Sequence, residues 1–84
     1  MPTLTLYTKP DCTLCDEARA ALERVRERMP FELDVIDIRA DAGLAERYGE
    51  RIPVVLVDGK EAWEYVIDER DLESRLDAGA GAAR

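Results

Sequence analysis

Cys12 and Cys15 are the only cysteines of the chain and stand two residues apart, in Lys9-Pro10-Asp11-Cys12-Thr13-Leu14-Cys15. A pair so spaced can exchange electrons with disulfides, hold part of a metal site, or close a passive cross-link. The rest of the inventory narrows the choice. Histidine is absent, so a His–Cys dyad, a His metal ligand and a His general base are excluded. A tetrahedral zinc site wants four ligands, usually Cys or His. Two cysteines fall short unless carboxylates or a second subunit contribute. A passive disulfide is disfavoured in a reducing compartment. The remaining chemistry is thiol–disulfide exchange, in which one thiolate attacks a disulfide and a second resolves the mixed intermediate.

The elements around the pair suit that chemistry. Thr3-Leu4-Thr5-Leu6-Tyr7-Thr8 alternates and is rich in β-favouring side chains, so it reads as a strand that Pro10 and Asp11 stop. A helix over residues 13–29 follows, with Leu14, Ala18, Leu22, Val25 and Met29 as its apolar stripe and Pro30 as its end. Cys12 is thereby placed at a helix start, where unpaired N–H groups and the helix dipole stabilise a thiolate. Cys15 lies one turn in and is expected to be more buried. Cys12 is therefore read as the attacking thiol and Cys15 as the resolving one. Lys9 favours the thiolate, whereas Asp11, Asp16 and Glu17 oppose it. Thr13-Leu14 holds neither proline nor a basic residue, which argues against a strong oxidant.

The other elements follow from pattern. Residues 31–38 read as a second strand. Phe31, Leu33 and Val35 share one phase and Ile36 and Ile38 the other, as in a strand covered on both faces over part of its length, or a bulged one. Strand, helix and strand make a βαβ unit with parallel pairing and a right-handed crossover. Residues 41–48 read as a short helix capped by Asp41 and closed by Gly49. Ile52 to Val57 is a continuous apolar run, with Pro53 expected at its first strand position. Asp58-Gly59 is a two-residue hairpin turn. Residues 60–65 then run antiparallel, with Trp63 and Tyr65 on one face and Ala62 and Glu64 on the other. Asp68 caps a last helix, with Asp71 at the capping-box position, Ile67 and Leu72 as a hydrophobic staple, and Leu72 and Leu76 facing the core. Trp63 is read as a packing residue, and Tyr7 and Tyr48 as partial core. The order β-α-β-α-β-β-α makes a small α/β fold around one mixed sheet. Residues 1–78 form the domain and residues 79–84 a flexible tail.

Eighty-four residues allow one small core. The apolar share of 46% and charged share of 37% fit a globular rather than a disordered chain. A net charge of −7 argues against a nucleic-acid partner. No apolar run approaches the ~20 residues of a membrane span, and no signal peptide is evident, so a cytoplasmic location is expected.

Tyr7-Thr8-Lys9-Pro10-Asp11-Cys12-Thr13-Leu14-Cys15 resembles the active-site stretch of glutaredoxins and glutaredoxin-like redoxins, and Ile52-Pro53-Val54 resembles their second signature. The resemblance covers about residues 3–78. It implies a thioredoxin-like fold with strand order second, first, third, fourth, the sheet flanked by helices. It implies a thiol–disulfide oxidoreductase with Cys12 as nucleophile and Cys15 as resolving thiol of a redox-active disulfide. Pro53 would be cis and face the dithiol, the Ile52 main chain would pair with substrate, and Lys9 would lie beside the thiolate, where glutaredoxins use a lysine for a glutathione carboxylate. The sequence departs from glutaredoxins in one place: Trp63-Glu64-Tyr65-Val66-Ile67-Asp68 lacks the Gly-Gly pair that holds glutathione's γ-glutamyl end. Substrates would be disulfide-containing proteins or low-molecular-weight thiols, and the donor glutathione or a thioredoxin-reductase-type enzyme. No bound cofactor, no metal, no membrane and a monomer are expected. The alternative is a non-catalytic metal or iron–sulfur protein using the same cysteines.

Overall fold

The computed structural model describes residues 2–82. Its elements are β1 (Thr3–Thr8), α1 (Thr13–Arg28), β2 (Glu32–Asp37), a 3-10 turn (Ile38–Ala40), α2 (Ala42–Tyr48), β3 (Val54–Val57), β4 (Lys60–Glu64) and α3 (Glu69–Ala82). The sheet order is β2-β1-β3-β4. β1 and β2 are parallel, whereas β3 is antiparallel to both its neighbours. This is the expected element order and the expected mixed sheet.

Alternation along β1 divides the core. Leu4 and Leu6 join Val55 on one face, beneath Ala18, Leu22 and Val25 of α1 and Leu72 and Leu76 of α3. Tyr7, Val54 and Leu56 lie in the second cluster, with Tyr48 of α2 and Ile38. Every residue of the central β3 is buried or nearly so, which is why its sequence is an unbroken apolar run.

Three details of the helices and strands differ from expectation. The buried stripe of α1 starts at Cys15, not Leu14: Cys15 is 1% exposed and Leu14 40%. Residues 15, 18, 22 and 25 keep the helical period, so turning Cys15 inward turns its neighbour out. β2 has no bulge, since its register with β1 is continuous from Thr3 opposite Glu32 to Thr8 opposite Asp37. It is an edge strand that leaves Val35 exposed, and Ile38 belongs to the following turn. Asp37 ends the strand by accepting the Arg39 amide at 2.9 Å. Pro53 lies one residue before β3 rather than in it, as befits a residue with no amide to give the ladder.

The hairpin carries the largest departure. Asp58 and Gly59 both have positive φ, 49° and 86°, as a two-residue turn of the mirrored type requires. The pairing runs Val57 with Lys60 and Leu56 with Glu61, then jumps to Val55 with Trp63 and Val54 with Glu64. Ala62 is therefore the extra residue of a β-bulge. Strict alternation fails there. Trp63 packs against the first cluster, and Glu61 and Glu64 stand opposite Leu56 and Val54, residues of one face. Tyr65 does not continue beside Trp63; it leaves the strand at φ 65°.

α3 is capped as expected: the Asp68 carboxylate accepts the Asp71 amide at 3.1 Å. Asp71 does not return the bond; its short carboxylate pairs with Arg75 at 3.0 Å. Arg24–Glu69 (2.9 Å) and Arg28–Glu73 pin α3 to α1. The helix runs to Ala82, so residues 79–82 are helical where a tail was expected. Residues 83–84 lie outside the described residues.

Candidate active site

The end of β1 leads into Lys9-Pro10-Asp11, all exposed. Asp11 adopts φ 58°, a conformation that Asp tolerates better than most residues. That turn delivers Cys12 to the N-cap of α1, with extended backbone at φ −117° and ψ 105°. Its sulfur accepts the Cys15 amide at 3.1 Å, and its carbonyl accepts the Asp16 amide at 3.1 Å. The sulfur thus occupies the place of the usual Ser or Asp oxygen in a helix cap. Cys12 and Cys15 are joined as a disulfide, with Cα atoms 5.2 Å apart, inside the range such a bond accepts. Cys12 is half-buried and Cys15 buried. One sulfur is reachable and its partner is shielded.

The second part of the site is the loop between α2 and β3. The Ile52–Pro53 peptide bond is cis. Ile52 and Pro53 are buried, and Ile52 shares the second core cluster with Cys15, with Cys12 packed against it. The structure therefore brings Cys12, Cys15 and Ile52 together, with Pro53 adjoining. Among the described residues, Ile52's amide and carbonyl enter no backbone hydrogen bond. Lys9 is exposed and makes no ion pair among the described residues.

Other charges belong to Asp37, the last residue of β2 and opposite Thr8 at the end of β1, and to Arg39 just after it. The Arg39 guanidinium hydrogen-bonds the Asp37 carboxylate at 2.9 Å and holds its carboxyl below the usual range. The bond to Asp37 is also the main reason Arg39 is held more firmly in its charged form, with a smaller contribution from Asp11. Among the described residues, no three His, Cys, Asp or Glu side chains gather as metal ligands.

Four residues beside the site were not singled out from sequence: Arg51, Glu61, Glu64 and Tyr65. Arg51 Nη2 bonds Glu64 at 2.7 Å and also Glu61. Tyr65 donates its amide to the Pro53 carbonyl at 2.8 Å and its hydroxyl to the Glu50 carbonyl at 2.9 Å. Only the bulge at Ala62 puts both glutamates on one face, and bulges leave little trace in a short strand's composition. The available hint was that a strand ending in Tyr65-Val66-Ile67-Asp68 must stop before the helix cap.

The comparisons agree with this geometry. A family model described as "Glutaredoxin-like domain (DUF836)" matches residues 3–77. An uncharacterised protein of Mycobacterium tuberculosis is 31% identical over 80 residues, covering 89% of this chain and 82% of its own. The X-ray structure of a structural-genomics target protein from X. campestris matches with TM-score 0.72 and 36% identity, over 89% of this chain and 96% of that one. A mutant thioredoxin from Halobacterium salinarum matches with TM-score 0.66 over 92% of this chain and 73% of its own; at 24% identity that likeness shows the fold alone. The glutaredoxin-like family match and a Cys-x-x-Cys pair at disulfide distance support a redox function. With its fold, its cysteine pair and a family match over residues 3–77, the chain belongs to the glutaredoxin-like domain (DUF836) family.

Proposed function

We propose that the protein is a dithiol–disulfide oxidoreductase that reduces disulfides through Cys12 and Cys15. One observation carries this reading: the half-buried Cys12 caps α1 and is disulfide-bonded to the buried Cys15 beside the Ile52–Pro53 loop. In the reduced protein the Cys12 thiolate attacks one sulfur of a substrate disulfide. A Cys12–substrate bond forms, the substrate S–S bond breaks, and the leaving thiolate takes a proton from solvent. Cys15 then attacks Cys12's sulfur, closes the internal disulfide and releases the second substrate thiol. Two electrons pass to the substrate, and the dithiol ends oxidised.

The Ile52 main chain is suited to pair with an extended segment beside the substrate disulfide, and the exposed Lys9 to meet a carboxylate. Disulfide-containing proteins are the favoured substrates. Leu14, between the cysteines, is exposed at 40%, and an exposed apolar side chain beside a reactive sulfur suits a polypeptide better than a small polar thiol. Asp68, the nearest counterpart of a γ-glutamyl anchor, is committed to capping α3. A reductase of the thioredoxin-reductase type is accordingly favoured over glutathione as donor.

Equilibrium titration in glutathione buffers, with free thiols counted by mass after alkylation, tests the reading. A reversible two-electron midpoint within about −180 to −270 mV is expected, the span of cellular dithiols. Little glutathionylated protein should accumulate. Failure to form a reversible Cys12–Cys15 disulfide would overturn the proposal.

A further inference from the structure

The loop that precedes β3 is tied to the end of β4 at three successive points. At Glu50, the carbonyl accepts the Tyr65 hydroxyl at 2.9 Å. At Arg51, the guanidinium is held by Glu64, at 2.7 and 3.1 Å from two of its nitrogens, and by Glu61. At Pro53, the carbonyl accepts the Tyr65 amide at 2.8 Å. Ile52 lies between these ties, and its own amide and carbonyl enter no backbone hydrogen bond among the described residues.

The far side is secured as well. The Arg51 amide bonds the Tyr48 carbonyl at 2.9 Å, and its guanidinium lies 5.3 Å from the centre of the Tyr48 ring. Tyr48 is buried and stacks on Tyr7 of β1 at 4.7 Å between centroids. Arg51 therefore bridges α2 and β4, one residue ahead of Ile52.

Two features of the chain contribute to this arrangement. Glu61 and Glu64 are three apart, and in a regular strand they would point to opposite faces. The bulge at Ala62 puts them on one face, where one guanidinium reaches both. Bulges commonly re-aim side chains in this way beside active sites. Tyr65 takes φ 65°, a costly conformation for a bulky residue, and in it both its amide and its hydroxyl reach the loop. As a source of stability the cluster is worth little, because its ion pairs are about one-third exposed. Its geometric effect is larger: it removes freedom from a segment that has no main-chain partner of its own among the described residues and shares a core cluster with Cys15.

We propose that Arg51, gripped by Glu61 and Glu64 and flanked by the Tyr65 ties, is a positioning residue that holds the Ile52 main chain rigid for an extended polypeptide substrate. The inference rests on the oxidoreductase reading and adds to it a determinant of substrate class. A preorganised edge spares an incoming strand the cost of ordering the loop, and a misplacement of about 1 Å can cost a reaction up to a hundredfold. A small disulfide with no main chain to pair gains nothing from the brace.

The test compares prereduced wild-type protein with the Glu61→Gln/Glu64→Gln variant, which keeps side-chain size and removes the charges gripping Arg51. Single-turnover rates are measured with insulin, whose disulfides sit in polypeptide, and with 5,5′-dithiobis(2-nitrobenzoate), which has no main chain. The expected result is a loss of about tenfold with insulin, an unchanged rate with the small disulfide, and an unchanged Cys12–Cys15 midpoint. An unchanged insulin rate overturns the proposal. So does an equal loss with both substrates or a shifted midpoint, since the cluster would then be supporting the dithiol or the fold. A wild-type protein that reduces neither disulfide fails a step earlier, and overturns the oxidoreductase reading itself.

Discussion

Cys12 does two jobs with one atom. Its sulfur is the cap of α1, accepting the Cys15 amide at 3.1 Å, and it is the exposed half of the disulfide. Serine is among the best caps, and loss of a capping side chain costs about 1 kcal/mol. Cys12→Ser should therefore abolish disulfide reduction while matching the reduced wild-type protein in stability. Cys12→Ala should be equally inactive and about 1 kcal/mol less stable than Cys12→Ser in urea denaturation. Equal stability of the two variants would show that the cap contributes nothing. Cys15→Ser removes the resolving thiol and leaves the attacking one, so it should accumulate a mixed disulfide on Cys12, visible as added mass that a reductant removes. At this scale the sequence was legible wherever chemistry singled out a residue. Both cysteines lie at the start of α1, where their spacing and neighbours placed them, whereas Pro53 falls one residue short of its strand. Leu14 also departs from expectation, because an apolar residue beside a cysteine in a first helical turn gives two overlapping stripes, and periodicity alone cannot say which turns inward.

Among the elements, those with a local cause were readable. Pro30, Asp41, Asp58-Gly59 and Asp68 each act within a few residues, and the elements they bound appear within a residue or two of expectation. What depends on a partner strand was not readable. The bulge at Ala62 is settled by pairing with β3. The extent of α3 was misjudged for another reason: Gly79 and Gly81 weaken a helix by about 1 kcal/mol each, yet the helix continues through them to Ala82. The link between α1 and α3 gives a pH-dependent test. The hydrogen bond from Arg24 holds the Glu69 carboxyl below its usual range. A depressed folded-state pKa adds stability above the unfolded value, and the gain is lost as pH falls through the folded one. Wild type should thus be more stable than Glu69→Gln at neutral pH. The difference should shrink as pH falls below about 5, where unfolded glutamate begins to protonate, and also in molar salt. A difference that persists at pH 2 would assign Glu69's role to packing instead.

For the molecule as a whole, the question is whether the dithiol helps hold the fold or only uses it. Both core clusters are assembled by the sheet and the helices, and the larger one contains neither cysteine. Among the described residues, no polar or charged residue is buried and no helix is long and apolar enough to cross a membrane. The disulfide spans a sequence separation of 3, so it closes a very short loop. In the chain-entropy picture, a loop of four residues stabilises the folded state by only about 2 kcal/mol. A redox couple needs that modest linkage, because both its forms must keep the fold if the site is to survive each turnover. Reduction should therefore lower the melting temperature by roughly 10 °C, taking about 4–8 °C per kcal/mol for a domain of this size. The far-UV circular dichroism should not change. Cys12→Ser/Cys15→Ser should melt with the reduced protein and should not respond to reductant. Cooperative unfolding on reduction at 25 °C would mean that the pair is a structural staple, and the site would have to be read as architecture rather than chemistry.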